Sequence, residues 1–182
     1  LAAGGSGLVL VPEIGLTPAA SGAIERRFGG RAAVLHSAQS DGERWREWQR
    51  VRDGEARIVV GPRSALFSPL DDLRLIVVDE EQDSAYKQQD APRYHARDLA
   101  VVRARAHGAV CVLGSATPSL ETRHLADTGE IRRLLLPRRV GGRPGAVGGS
   151  PGWRCGDSGR ALVDPARRLP DHRQDGPQHG PA

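Results

Sequence analysis

The feature that most constrains the fold is an apolar run that ends in consecutive acidic residues. Residues 73–78 read Leu-Arg-Leu-Ile-Val-Val and lead directly into Asp79, Glu80, Glu81 and Gln82. A short and nearly continuous apolar run indicates a strand that is buried on both faces, as in a parallel sheet. The carboxylates then follow the carboxyl end of that strand, where parallel sheets gather their functional loops.

Further apolar runs alternate with amphipathic stretches. We predict additional strands at residues 8–11, 32–35, 57–60, 109–113 and 131–136. We predict helices at residues 18–28, 41–52, 94–107 and 118–127. Thr17 before Pro18 suits a helix N-cap, and Trp45 and Trp48, three residues apart, suggest one buried stripe on the second helix. The fold class is therefore α/β, with a mostly parallel sheet between two helical layers.

The composition changes after about residue 137. The last 45 residues hold 10 glycines and 6 prolines. We therefore predict a partial lobe over residues 1–137 and a disordered Gly/Pro/Arg-rich tail over residues 138–182, which is either a natural linker or a segment translated out of frame. The lobe carries 18 basic and 18 acidic side chains, so the net charge of +4 belongs to the tail and says little about partners of the lobe.

Cysteine spacing and hydropathy give no sign of a secreted or membrane protein. Cys111 and Cys155 stand alone, without the CxxC spacing of a zinc site or a disulfide framework. No apolar stretch reaches the length of a membrane span and no signal-peptide pattern opens the chain, so we expect a cytoplasmic location. The chain begins at Leu1 and has no methionine, so we expect it to be part of a longer protein.

The strand end at residues 79–82 has the pattern of a Walker B segment. In that interpretation Asp79 is the partner of a magnesium ion on a bound nucleotide, and Glu80 polarises the attacking water. The alternative is a charged helix start after a buried strand, where acids suit the helix dipole. A phosphate-binding P-loop needs lysine directly after glycine, whereas the single lysine, Lys87, follows Tyr86. No such loop is present in the chain.

Other polar segments also follow predicted strands. The turn GSATP at residues 114–118 offers the hydroxyls of Ser115 and Thr117 to the nearby carboxylates, and Thr117 before Pro118 equally fits a helix N-cap. Two more loops can bind phosphates, or are ordinary strand-to-helix connections. Their candidate residues are Thr17, Arg63 and Ser64.

Residues 83–98 hold both tyrosines and the only lysine of the chain. Aromatic rings interleaved with cations suit stacking on unpaired bases beside phosphate contacts. The alternative is a solvated loop.

These segments together resemble the PriA family (primosomal protein N′), bacterial replication-restart DNA helicases of superfamily 2. The resemblance covers residues 8–133. It rests on VPEIGLTP, HS…DGER, the RSALF loop, LIVVDEE, YKQQD-x-PRYHARDLAVVRA and GSATPSLET, which occur in family order.

The resemblance implies a RecA-like lobe of the P-loop NTPase class, which uses ATP and Mg²⁺ to move 3′ to 5′ on single-stranded or forked DNA. It also implies primosome and single-strand-binding proteins as partners. The implied catalytic residues are Asp79, Glu80 and Gln82, with Asp79 meeting magnesium through the nucleotide. The implied coupling residues are Ser115 and Thr117. The implied DNA-binding residues are Glu13, Thr17, Arg63, Ser64, Tyr86, Lys87, Tyr94 and His95.

The chain departs from the family pattern in three respects. The Walker A loop should lie before residue 8, and residues 1–7 do not contain it. The fourth position of the acidic box, normally histidine, is Gln82. The second lobe with its arginine finger, the zinc-binding cysteines and the amino-terminal DNA-binding domain are missing.

These departures lead us to expect no significant ATP hydrolysis by the isolated chain, and partial folding or aggregation. The alternative to a helicase fragment is a degenerate, non-catalytic remnant that binds DNA or a partner. A weaker alternative is an unrelated α/β nucleotide-binding protein.

Overall fold

The computed structural model describes residues 4–12, 18–136 and 158–163. Its strands are β1 (Ser6–Leu10), β2 (Ala32–Val34), β3 (Ile58–Gly61), β4 (Leu73–Val78), β5 (Lys87–Gln88), β6 (Tyr94–His95), β7 (Val110–Gly114), β8 (Arg132–Leu136) and β9 (Ser158–Val163). Its helices are α1 (Pro18–Phe28), α2 (Asp41–Arg52), α3 (Ala96–His107) and α4 (Leu120–Asp127). Short 3₁₀ turns occur at Gly29–Arg31, Arg63–Phe67 and Ser84–Tyr86.

Seven of the strands form one sheet in the order β2-β3-β1-β4-β7-β9-β8. The five strands from β2 to β7 in this order are parallel, while β9 runs antiparallel to both β7 and β8. The helix α3 packs against β4 and β7, and α1 and α2 pack against β2. The predicted α/β fold with a mostly parallel sheet is confirmed.

The centre of the sheet is the core of the protein. Leu8 and Leu10 of β1 and Ile76 and Val78 of β4 are fully buried. Burial of each such side chain contributes roughly 1.5–3 kcal/mol, which explains why these apolar runs settle in adjacent central strands. The carboxyl end of β4 is held rigidly as a result.

Hydrogen bonds from a capping side chain fix where α2 begins. Ser40 caps α2 in a capping box, in which its hydroxyl accepts from Glu43 N–H and the Glu43 carboxylate accepts from Ser40 N–H.

The predicted buried tryptophan stripe on α2 is wrong. Trp45 is 54% exposed and stacks on Trp48 at 5.5 Å, because the helix turns Val51 rather than the tryptophans into the core.

Two predicted helix starts are corrected. Tyr94 and His95 are not helical, because they pair with Lys87 and Gln88 as an antiparallel hairpin, and α3 begins at Ala96. Thr117 does not cap α4. The cap is Ser119, whose hydroxyl accepts from Thr122 N–H at 3.2 Å. Thr17, the predicted cap of α1, lies outside the described residues.

The tail contributes one described element, the strand β9, which the composition did not predict. Residues 137–157 and 164–182 lie outside the described part, so the division at residue 137 stays a prediction. None of the helices in the described ranges is long and apolar enough to cross a membrane.

Candidate nucleotide and DNA site

The parallel register brings four strand ends to one edge of the sheet. Leu10 of β1 lies beside Gly61 of β3 and Val78 of β4, and Val78 lies beside Leu113 of β7. Asp79 N–H donates to the Leu10 carbonyl at 2.9 Å. The polar residues that follow β1, β3, β4 and β7 therefore meet at this edge, as the sequence predicts.

A hydrogen-bonded chain joins the acidic strand end to the GSATP turn. Thr117 N–H donates to Ser115 Oγ at 2.9 Å, and Ser115 Oγ donates to Gln82 Oε1 at 2.6 Å. Gln82 Nε2 then donates to Glu80 Oε2 at 2.8 Å. We call these four residues the strand-end chain. The predicted bond between hydroxyl and carboxylate is thus made through the amide of Gln82, and Thr117 takes part through its backbone.

Asp79 presents its carboxylate at the end of β4. The side chain is exposed, and no described residue donates a hydrogen bond or forms an ion pair with it. Gly114 leaves the space beside it: an added Cβ would lie 3.2 Å from Asp79 Oδ1. A carboxylate with free lone pairs on a backbone that is held at the strand end suits an oxygen-ligated ion such as Mg²⁺, so the residues present fit the predicted role.

The backbone of Glu80 is in the left-handed region, with φ of 48°. This conformation is uncommon for a residue other than glycine, and such strain concentrates at functional sites. A turn holds it there, since Asp83 N–H donates to the Glu80 carbonyl at 2.8 Å. The turn separates the exposed Glu80 carboxylate from the next side chain, Glu81, which points into the protein.

Glu81 is 1% exposed and is the centre of a buried polar cluster. Its Oε1 accepts from Ser119 N–H at 2.7 Å. Its Oε2 accepts from Thr122 Oγ1 at 2.9 Å, from Ser119 Oγ at 3.1 Å and from Arg97 Nη1 at 3.2 Å. We call Glu81, Arg97, Ser119 and Thr122 the Glu81 cluster. It ties the loop after β4 to the amino ends of α3 and α4.

The sequence analysis assigned no role to the Glu81 cluster. A third consecutive carboxylate was the only signal, and no spacing rule says which member of an acidic run turns inward. The partners lie 16 to 41 residues away from Glu81 along the chain.

Electrostatics around the Glu81 cluster favour a charged arginine and a neutral histidine. Burial opposes the charge of Arg97, but hydrogen bonds and attraction to Asp98 and Glu81 outweigh it and raise the pKa of the guanidinium above its usual value. Burial, followed by the charge of Arg97, lowers the pKa of His95. The Nδ1 atom of His95 is buried and has no hydrogen-bond partner within the described residues.

The prediction of Tyr86 as a DNA contact needs correction. The side chain is 1% exposed, and its hydroxyl donates to the Asp79 carbonyl at 2.5 Å. Burial and the negative charges of Asp79, Asp83 and Glu80 raise the pKa of this hydroxyl, which keeps it a donor. Tyr86 is a core residue because the 3₁₀ turn Ser84–Tyr86 directs its ring inward.

The predicted DNA-binding residues of the described part lie around the hairpin formed by β5 and β6. Lys87 is exposed, while Tyr94 and His95 are partly exposed. The ring of Tyr94 meets Phe67 edge to face at 5.3 Å, and Phe67 is 59% exposed. Cations and rings therefore share one surface, as stacking on unpaired bases requires.

A cleft of about 280 Å³ lies between this hairpin and the ends of β1 and β3. Its lining includes Pro12, Arg63, Ser64, Gln88 and Tyr94. Arg63 supports the hairpin, since its Nη1 donates to the carbonyls of Ala85 at 3.1 Å and Lys87 at 3.2 Å. Ser64 is exposed.

Glu13 and Thr17, the other predicted DNA contacts, lie outside the described residues.

Comparison with known proteins identifies the class to which this chain belongs. Residues 1–125 match the family model of the DEAD/DEAH box helicases. The chain therefore belongs to the DEAD/DEAH box helicase family.

Within that class, the chain is similar to a particular protein, replication restart protein PriA. It is 48% identical over 143 residues to PriA of Bacillus subtilis, which covers 79% of this chain and 18% of that protein. It is 49% identical over 134 residues to PriA of Haemophilus influenzae, which covers 74% of this chain and 18% of that protein. The predicted resemblance is confirmed, and the chain spans less than a fifth of the length of these relatives.

A distant likeness also exists to a solved structure, the carboxyl-terminal domain of Dbp5 of S. cerevisiae bound to Gle1 and IP6. The TM-score is 0.35 at 16% identity, over 48% of this chain and 46% of that chain.

Proposed function

We propose that this chain is part of an ATP-dependent DNA helicase that moves 3′ to 5′ and acts in replication restart, with residues 1–137 forming most of its first RecA-like lobe. The observation that carries the proposal is the strand-end chain. It connects Thr117 and Ser115 of one loop to Gln82 and Glu80 of another. Two motifs whose bonded residues are 33 apart in sequence are thus joined by hydrogen bonds, and this supports a role in coupling the nucleotide state to movement.

The residues divide the chemistry between them. Asp79 would hold Mg²⁺ on the phosphates of ATP, and the bound Mg²⁺–ATP complex supplies the phosphoryl group that is transferred to water. Glu80 orients and polarises that water, and its carboxylate is itself oriented by Gln82 Nε2. Because the side-chain nitrogen of Gln82 can only donate a hydrogen bond, the Glu80 carboxylate is the acceptor in this bond.

The DNA-facing part is the hairpin of β5 and β6 with the neighbouring RSALF turn. Lys87 forms an ion pair with a phosphate of the DNA, and the rings of Tyr94 and His95 stack on bases. The hydroxyl of Ser64 hydrogen-bonds to the sugar-phosphate backbone of the DNA. Arg63 acts on this surface by holding the hairpin. Glu13 and Thr17 remain proposed contacts from the loop after β1.

The relatives are replication restart proteins, and this supports the proposed setting. We propose single-stranded and forked DNA as the substrate, and primosome and single-strand-binding proteins as partners. We propose the cytoplasm as the location.

A second candidate is a non-catalytic remnant that binds DNA or a partner. Two observations favour it. The only lysine, Lys87, lies on the hairpin and not in a phosphate loop, and Gln82 stands where the family has a titratable histidine. Neither the missing phosphate-loop lysine nor Gln82 would prevent DNA binding at the hairpin.

The experiment that separates the two candidates uses a chimera. Residues 6–136 of this chain replace the matching segment of Bacillus subtilis PriA, which supplies the Walker A loop and the second lobe. Hydrolysis of ATP is measured with and without single-stranded DNA, in the chimera and in its Glu80→Gln and Gln82→Ala variants. Glu25→Gln, which changes an exposed carboxylate on α1, is the matched control.

The helicase proposal predicts DNA-stimulated hydrolysis by the chimera. Glu80→Gln should lower it by about 10²–10⁴-fold, the usual contribution of a positioned base. Gln82→Ala should mainly reduce the stimulation by DNA, by about 5–150-fold, and Glu25→Gln should change neither rate. A folded chimera that binds DNA but hydrolyses no ATP supports the remnant instead.

A further inference from the structure

We propose that Phe67 is a base-stacking residue that acts together with Tyr94, and that these two rings favour a single strand whose own bases are unstacked. This inference rests on the proposed function, since it assumes that the surface around the hairpin of β5 and β6 binds DNA. Phe67 is not among the DNA contacts predicted from the sequence, although it ends the same 3₁₀ turn that carries Arg63 and Ser64.

The fold holds the Phe67 ring at the surface. Its chain neighbours Leu66 and Ser68 are buried, whereas Phe67 is the most exposed phenylalanine, tyrosine or tryptophan of the described residues. Arg103 of α3 donates to the Leu66 carbonyl through Nη1 and to the Ser68 carbonyl through Nη2, the second bond measuring 2.7 Å. Because the backbone is fixed to α3 on both sides of Phe67, the ring is kept facing outward.

The rings of Phe67 and Tyr94 are nearly perpendicular. Their centroids are 5.3 Å apart and their planes meet at 83°. Arg63 ties the 3₁₀ turn to the hairpin, because its Nη1 donates to the carbonyls of Ala85 at 3.1 Å and Lys87 at 3.2 Å. The two rings are therefore positioned before a ligand binds, which lowers the ordering cost of binding.

The angle between the rings sets a requirement on the strand. A base that stacks on a ring lies parallel to it, so bases on Phe67 and Tyr94 lie nearly at right angles to each other. Neighbouring bases in a duplex or in a stacked single strand are parallel instead. A strand can therefore occupy both rings only where stacking between its own bases is broken, which costs less in thymine tracts than in adenine tracts.

Cations beside the rings identify a nucleic acid strand as the occupant. Lys87 and Arg93 are exposed, and together with Tyr94 they line a cleft of about 550 Å³. A strand supplies phosphates for these cations and bases for the rings. An apolar protein surface would instead have to bury the two charges without partners, which is costly.

The experiment measures binding of 5′-labelled strands to the full chain by fluorescence anisotropy at one salt concentration. The strands have about 16 nucleotides, within the usual range of single-strand sites. One is an oligodeoxythymidine, one is an oligodeoxyadenosine, and one is an abasic strand that has the same phosphates and no bases. The variants are Phe67→Ala, Phe67→Trp and, as a matched control, Phe28→Ala at the exposed end of α1.

The wild-type chain should bind the thymidine strand several-fold more tightly than the adenosine strand. Phe67→Ala should weaken binding of the thymidine strand by about 5–150-fold, the usual effect of removing one stacking ring. The preference for thymidine should disappear in this variant, because the strand then stacks on a single ring. Binding of the abasic strand should not change, because it has no base to stack.

The other two variants test the ring itself. Phe67→Trp should bind the thymidine strand at least as tightly as the wild-type chain, because indole offers a larger stacking face. Phe28→Ala should bind all three strands with wild-type affinity. Urea unfolding confirms that each variant is folded before its affinity is compared.

Equal wild-type affinities for the thymidine and adenosine strands, or a preference that Phe67→Ala retains, overturn the inference. An equal loss with the abasic strand also overturns it, because Phe67 would then act on the fold or on phosphate contacts. Should Phe67→Ala fail to fold, Phe67→Trp decides, and weaker binding than wild type overturns the inference. Failure of the proposed function looks different: the wild-type chain then binds none of the strands, and both proposals fall.

Discussion

The hydroxyl of Tyr86 donates a 2.5 Å hydrogen bond to the backbone carbonyl of Asp79. Tyr86 directly precedes the hairpin of β5 and β6, and Asp79 is the residue proposed to meet magnesium. A core tyrosine therefore anchors the hairpin to the peptide that leads into the strained backbone of Glu80. This bond gives the first of four testable predictions.

Tyr86→Phe should lower the free energy of unfolding by about 0.5–1.5 kcal/mol, because the part-buried Asp79 carbonyl loses its donor while the ring still fills its place. Urea unfolding measures the change. Tyr94→Phe is the matched control: the Tyr94 hydroxyl makes no hydrogen bond with a described residue, so its loss should change stability by less than about 0.5 kcal/mol. Equal effects of the two variants would contradict the assignment.

Gly114→Ala should displace the Asp79 carboxylate. The new Cβ would lie 3.2 Å from Asp79 Oδ1, so the carboxylate must move by a few tenths of an ångström, whereas its 3.5 Å distance from the Val78 carbonyl is an ordinary contact. In the chimera, the variant should also weaken Mg²⁺-dependent nucleotide binding, measured by isothermal titration calorimetry. Gly42 on α2 is the matched control, because a Cβ added there meets open space. Gly42→Ala should raise the free energy of unfolding by about 0.4–1 kcal/mol. Nucleotide binding that is unchanged in Gly114→Ala would argue against Asp79 as the magnesium partner.

The stability contributed at His95 should depend on pH in a defined direction. Burial, then Arg97, lowers its folded pKa, against the opposing pull of Asp98, Glu81 and Glu121. Between the folded value and the unfolded value of about 6.5, the unfolded chain binds more protons, so stability falls as the pH falls.

Wild type should therefore lose stability relative to His95→Gln as the pH falls from about 6.5 toward the lower pKa of His95 in the folded chain. Urea midpoints at several pH values measure this difference. His107→Gln, at the exposed end of α3, controls for loss of a histidine. A difference that widens in the opposite direction contradicts the neutral state of His95 in the folded chain.

Lys87→Ala should reduce the salt dependence of single-stranded DNA binding. Each phosphate contact on a single strand contributes about 0.7 to the slope of log K against log salt concentration. Loss of Lys87 should lower the slope by about that amount, measured by anisotropy over a salt series. Arg46→Ala, on the exposed face of α2, is the matched control and should leave the slope unchanged. A slope that is unchanged in Lys87→Ala would contradict the proposal that Lys87 of the hairpin contacts a phosphate of the DNA.

Much of the fold was predictable because apolar periodicity reflects burial directly. The run at Leu73–Val78 became the central strand β4, and Asp41–Arg52 became a helix with the predicted bounds. The meeting of the strand ends was predictable too, because parallel strands share one carboxyl edge. Asp79, Glu80, Ser115 and Thr117 lie there for that reason.

The wrong predictions share a physical cause. Trp45, Thr117 and Tyr86 were judged by composition and short spacing, which do not fix how an element is rotated against its neighbours. Val51 displaced the tryptophans from the core, Ser119 displaced Thr117 as the cap of α4, and a 3₁₀ turn buried Tyr86.

The sequence by itself determined the class of fold, the edge at which the site lies and the resemblance that the comparisons confirmed. Only the tertiary structure decided that Glu81, unlike its neighbours Asp79 and Glu80, turns inward to meet Arg97 and the start of α4. The reason is that a buried carboxylate is stable only where donors converge on it, and here those donors come from two helices far along the chain.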